Sequence, residues 1–244
     1  MSIATDTLAE IKSKGYWRIL LQPKTFVANL IPSLEEAKDM IVNNKLSLRG
    51  WDYPHVDKDT TFVSEDSVES VCNWPAGPVF EYWKYFLSGQ FVHYFGMRED
   101  WRITPVDAEE IKTRFHFPDD ASVISFLEIF STIYTITEIY LFASRLAQKG
   151  VLGESFHLEI QLNGVNGRTL YFSNWGRDLR TVYTCKFQNG TILLSQDIDR
   201  ADIITNYAEL ALKEITRLFH MFGWTAVSRS LLEDEQRKFL ERRL

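Results

Sequence analysis

From Asp119 to Lys149 the chain runs without a proline or a glycine, which predicts one long helix. Pro118-Asp119-Asp120 supplies carboxylates for an N-cap and for the positive end of the helix dipole. Lys149-Gly150 supplies a cation in the last turn and then the residue best suited to a left-handed C-terminal position. About thirty residues would make a rod of roughly 45 Å. Ile124, Leu127, Phe130, Ile133, Tyr134, Leu141 and Phe142 fill one face, and Phe126, Ile129, Ile136, Ile139 and Tyr140 spread around the sides. Only Glu128, Ser131, Thr132, Thr135 and Glu138 form a polar stripe, the line along which such a helix would reach solvent.

The apolar part, Val123 to Ala143, has the length of a membrane span. Glu128 and Glu138 lie within it, each costing about 2.5–3.5 kcal/mol near a bilayer centre. No aromatic belt is set apart from its apolar core either. The segment therefore reads as a helix surrounded by protein, with no membrane partner.

All seven prolines precede residue 119. The first part is thus cut into short pieces and the second can hold long ones, which places a boundary near residue 118. We expect a mixed α/β N-terminal region (1–118) and a helix–strand–helix region (119–244), which one continuous domain could also contain. In the first region, 5–14 and 33–44 read as helices, and 16–21, 46–51, 61–63, 67–74 and 90–98 as strands. Pro78 at a first helical position, with Val79, Phe80, Trp83, Phe86 and Leu87 at helical spacing, predicts a further helix with Glu81, Lys84 and Ser88 on its polar face.

In the second region the strand candidates are 156–162, 168–173, 181–187 and 191–198. Asn163-Gly164-Val165-Asn166-Gly167 and Gln188-Asn189-Gly190 give hairpin signals, because Asn and Gly tolerate positive φ. Helices over 202–222 and 228–244 follow. The expected fold class is α+β: a long buried helix, an antiparallel four-stranded meander and a second packing helix.

An apolar fraction of 45% and 34 aromatic residues support a sizeable core, and the formal charge is −6. An acidic chain argues against non-specific nucleic-acid binding but leaves room for a local basic site. Cys72 and Cys185 are too few for a disulfide scaffold, and no secretory leader is visible, so a cytoplasmic location is expected.

Walker A, GxGxxG, GxSxG and HExxH sequences are absent. The segment Leu48-Arg49-Gly50-Trp51-Asp52-Tyr53-Pro54-His55 gathers a guanidinium, a carboxylate, an imidazole and aromatic rings around Gly and Pro. It can hold a ligand through Arg49, Trp51, Asp52 and His55, or an Arg49–Asp52 pair can tie the loop to its neighbours. With Ser88-Gly89-Gln90-Phe91-Val92-His93-Tyr94 it resembles stretches of bacterial proteins to which no activity is attached, and the resemblance implies no residue roles.

His93 with Glu99-Asp100, and His157 with Glu159, are the acid–base candidates. Neither brings a third ligand, so no metal or other cofactor is expected. The stretch 168–186 interleaves Arg168, Arg177, Arg180 and Lys186 with Tyr171, Trp175 and Tyr183, a composition suited to phosphates and unpaired bases.

These readings point to a non-enzymatic binding or accessory protein that works through a protein partner or single-stranded nucleic acid, or as a homo-oligomer. The competing expectation is an enzyme processing a small molecule or nucleotide with the Arg49–His55 turn and His93.

Overall fold

The computed structural model describes residues 3–57, 59–74, 77, 79–115, 125–173, 179 and 181–243. In chain order the elements are α1 (Ile3–Lys12), β1 (Tyr16–Pro23), α2 (Leu34–Asn44), β2 (Thr61–Val63), β3 (Ser67–Trp74), β4 (Val79–Phe86), β5 (Phe91–Gly96), α3 (Glu99–Arg102) and α4 (Pro105–Arg114). Then come β6 (Phe126–Glu128), α5 (Ile129–Gln148), β7 (Ser155–Asn163), β8 (Thr169–Tyr171), β9 (Thr191–Asp199), α6 (Arg200–Met221) and α7 (Arg229–Leu240). The fold is α+β. A seven-stranded antiparallel sheet runs β2-β3-β4-β5-β1-β7-β9, and β6 pairs with β8 apart from it.

β1 joins the two parts of the sheet, hydrogen-bonded to β5 on one side and to β7 on the other. One sheet therefore runs across residue 118. Its inner face is set by pleat alternation: Glu81, Trp83 and Tyr85 stand beside Phe95, His93 and Phe91, which stand beside Trp17, Ile19 and Leu21. Helix α5 lies on this face, with Phe142 5.1 Å from Phe91 between ring centroids and the Tyr140 hydroxyl bonded to Gln196. α6 packs along α5, and α7 reaches it through the stacked rings of Phe239 and Tyr134. α1 covers part of the outer face, where Lys12 sits over Tyr94 and Thr7 bonds Asn73.

The central helix is shorter than expected. α5 has 20 residues and begins at Ile129, while residues 119–124 lie outside the described residues. Phe126–Glu128 is extended because it pairs in parallel with Thr169–Tyr171. The Glu128 carboxylate then caps the helix by accepting from the Ser131 amide at 2.5 Å, while its other oxygen accepts from the Ser173 amide at 3.1 Å. No glycine or proline announces this boundary, and Glu is outside the usual N-cap set. A distant strand makes it.

The segment expected as a helix from Pro78 is strand β4. The Trp51–His55 loop bonds to Glu81 and Trp83 on its inner side and α1 covers part of its outer side, so aromatic residues occupy both faces and period-2 alternation is hidden. The spacing of Phe80, Trp83 and Leu87 fits a helix equally well, and pairing with β3 and β5 decides the matter.

The strand candidates of the second region do not form a meander of their own. β7 pairs with β9 and with β1, while β8 joins β6. The described residues of 181–187 contribute a single bridge, Thr169 to Thr184. The expected strand 46–51 is a loop closed by reciprocal backbone bonds between Leu46 and Tyr53, both 2.8 Å. Among the described residues, no helix is long and apolar enough to cross a membrane.

Candidate functional site

The loop closed at Leu46 and Tyr53 projects Arg49, Gly50, Trp51 and Asp52 toward one end of the inner face. Gly50 sits at φ +77°, a backbone conformation that costs a side-chain-bearing residue roughly 1 kcal/mol or more. Asp52 does not pair with Arg49, as the loop-tying expectation had it. It accepts from Lys45 and Ser47 instead. Burial opposes its charge, but these bonds prevail and hold its carboxyl below the ordinary value.

Arg49 reaches the central helix. Its guanidinium donates to Thr135 Oγ1 at 3.0 Å and to Glu138 Oε2 at 2.7 Å. The polar stripe of α5 thus faces inward: Thr132, Thr135 and Glu138 are buried. With the loop, the ends of β1, β4 and β5, and α3, it encloses a cavity of about 270 Å³.

Glu138 is the least exposed carboxylate there, at 1%. Its Oε1 has no hydrogen-bond partner. Burial pushes its carboxyl up from the ordinary 4.5 to about 7, against the pull of Arg49. Glu81, on β4, is buried too, but every oxygen is engaged. Oε1 accepts from Trp51 Nε1 at 2.7 Å, and Oε2 lies 3.3 Å from both the His55 amide and His93 Nε2. Burial raises its pKa, yet His93, Trp51 and His55 outweigh this and the net direction is down.

Aromatic rings wall the site. Trp51 stacks on His55 at 4.1 Å between centroids and lies parallel, within 5°, to Trp74 at 6.1 Å. Trp17 stacks on Phe95 at 5.9 Å. α3 and the residue that precedes it contribute Arg98, Glu99 and Arg102 to the lining. Glu99 accepts from the Glu128 amide at 2.8 Å, and burial raises its pKa. Arg102 donates to the Gly77 carbonyl at 3.0 Å. The Arg98 guanidinium makes no hydrogen bond or ion pair among the described residues. The residue is exposed overall, but partial desolvation at the cavity, followed by repulsion from Arg102 and Arg49, pushes its pKa down against the attraction of Glu99 and Glu138.

The structure therefore gathers Arg49, Trp51, Asp52 and His93 into one lining, with His55 stacked behind Trp51. His93 meets Glu81 rather than Glu99 or Asp100. Asp100 instead forms a two-pronged ion pair with Arg168, both contacts at 2.7 Å. Arg168 is buried and also donates to the Phe126 carbonyl at 2.6 Å, so it is not available to a phosphate at the surface. Lys186 is exposed; Trp175, Arg177 and Arg180 lie outside the described residues.

His157 and Glu159 share the outer face without pairing: Glu159 binds Arg18, and His157 lies 2.7 Å from Asp197 and 3.2 Å from Ser195. That hydroxyl–imidazole–carboxylate row stands on the open side of β7 and β9, and Asp197 is shared with Lys24 at 2.5 Å. Among the described residues, no group of three or more His, Cys, Asp and Glu side chains is placed to hold a metal ion.

Glu81, Glu138, Arg98 and Arg102 were not singled out as site residues from the sequence. The polar stripe was the available signal for Glu138, and assignment of β4 to a helix concealed Glu81. No protein-family model, no curated protein and no solved structure matches this chain.

Proposed function

We propose that this protein binds a small organic molecule in the cavity between the Arg49–Tyr53 loop, the β4–β5 end of the sheet and the polar stripe of α5. The observation that carries the reading is Glu138 Oε1, a buried carboxylate oxygen left without a partner on the helix at the centre of the core. An unsatisfied buried polar atom costs about 1–3 kcal/mol, and a ligand donor offsets that cost. The surroundings fit a binding site: aromatic walls, a few convergent polar groups and a volume at the small end of the usual range.

A second reading is favoured by the same residue. A carboxyl that titrates at about 7 suits general acid or base chemistry on a bound molecule.

Ser131 lines the cavity and is part-exposed, so Ser131→Phe blocks the space with little change to the core. A library of small aromatic compounds screened by calorimetry should yield compounds that bind the wild type and not this variant, provided the variant keeps its melting temperature. Hits that bind both proteins equally would remove the cavity from consideration.

A further inference from the structure

The charges around the cavity are matched unevenly, and the mismatch names a ligand class. Resting on the binding reading above, we propose that the ligand is a planar organic acid: its anionic group pairs with Arg98 at the mouth, and an N–H or O–H on its ring system donates to Glu138 Oε1.

Each lining carboxylate already has a donor. Asp52 has Lys45 and Ser47, Glu81 has Trp51 and the His55 amide, Glu99 has the Glu128 amide, and Glu138 has Arg49 on one oxygen. Arg49 is committed in return to Glu138 and Thr135, and Arg102 to a carbonyl. Arg98 remains. It lies close enough to Arg49 and Arg102 to feel their repulsion and to Glu99 and Glu138 to feel their attraction, yet among the described residues its guanidinium has no hydrogen-bond or ion-pair partner. Three guanidiniums and four carboxylates line the cavity, and of the guanidiniums only that of Arg98 is uncommitted, so an entering anion has one place to pair, at Arg98. At the other pole the free oxygen of Glu138 accepts only, so long as the carboxyl is ionised. Trp51 and Trp74, parallel to one another, also line the cavity, and such walls favour a ring over an aliphatic chain.

Three compounds of nearly one shape separate these terms. Indole-3-acetate has both the anion and the ring N–H, indole-3-acetamide keeps the N–H without the charge, and 1-naphthaleneacetate keeps the charge without the N–H. Calorimetric titration of the full chain near neutral pH should give indole-3-acetate an advantage of about tenfold or more over each of the others. Arg98→Gln should erase its advantage over the amide, and Glu138→Gln should erase its advantage over the naphthalene compound. Ser131→Phe should abolish all binding.

If the amide binds as well as the acid, and Ser131→Phe abolishes both, the cavity is a binding site but the organic-acid assignment is wrong. If no compound binds at about 1 mM, or binding survives Ser131→Phe, the cavity reading fails and this inference with it. Arg98 is exposed, so its replacement leaves the fold intact and the comparison readable.

Discussion

The guanidinium of Arg49 crosses from a surface loop to Glu138 in the middle of the core helix, 2.7 Å from its carboxylate, and leaves the other carboxylate oxygen unbonded. This contact joins the loop to the helix and also charges the cavity between them. Removing one member of such a pair strands a buried charge, which costs about 3–5 kcal/mol.

Arg49→Met should therefore destabilise the protein by about 3–5 kcal/mol at alkaline pH. The loss should be smaller near pH 5, where Glu138 binds a proton and has no charge to strand. Urea denaturation at the two pH values checks this, and an equal loss at both would show that Arg49 acts by packing alone.

Glu138 should also give the wild type a distinctive pH dependence. Its folded pKa, about 7, lies above the ordinary 4.5 of an unfolded chain. Within that window the unfolded state has lost the proton and the folded state keeps it. The contribution is fully present below the lower value and is lost as pH rises through the upper one, a fall of about 3 kcal/mol. Glu138→Gln should abolish this slope, measured as the difference between the two proteins' stability–pH curves.

Arg168 and Asp100 form the second internal ion pair, beside Gly15, whose amide donates to Asp100 at 2.7 Å. Arg168→Met should cost about 3–5 kcal/mol, whereas Arg168→Met with Asp100→Leu should recover much of that loss. Thermal melts of the single and double variants decide it. A single variant as stable as wild type would mean that the pair is not closed in solution.

Gly15→Ala tests the same corner sterically. A methyl group there would collide with the Arg168 guanidinium and come within 2.6 Å of the Asp100 carboxylate. A loss of about 1–3 kcal/mol is expected from forced repacking, and chemical denaturation measures it.

Amide exchange should be slowest in α5 between Ile133 and Ala147, where almost every side chain is buried. Fast exchange over this stretch would contradict its place at the centre of the core.

The sequence alone determined the fold class, the buried helix that ends at Lys149-Gly150, the long helix before Gly223 and the turn at Gln188–Gly190. Those features rest on local chemistry: apolar periodicity, glycine conformational freedom and the absence of proline act within a few residues. The Arg49–His55 stretch was also legible, because its mixture of charge and aromatic residues is local. What each of its side chains meets was not. Arg49 finds Glu138 89 positions away, Arg168 finds Asp100 68 positions away, and Phe126–Glu128 becomes a strand only because residues 169–171 arrive beside it. The polar stripe of α5 was visible as a pattern, yet periodicity gives the angle between side chains and not what stands opposite them. Only packing turned that stripe inward, since the sheet and the loop cover it and leave a cavity where solvent was expected.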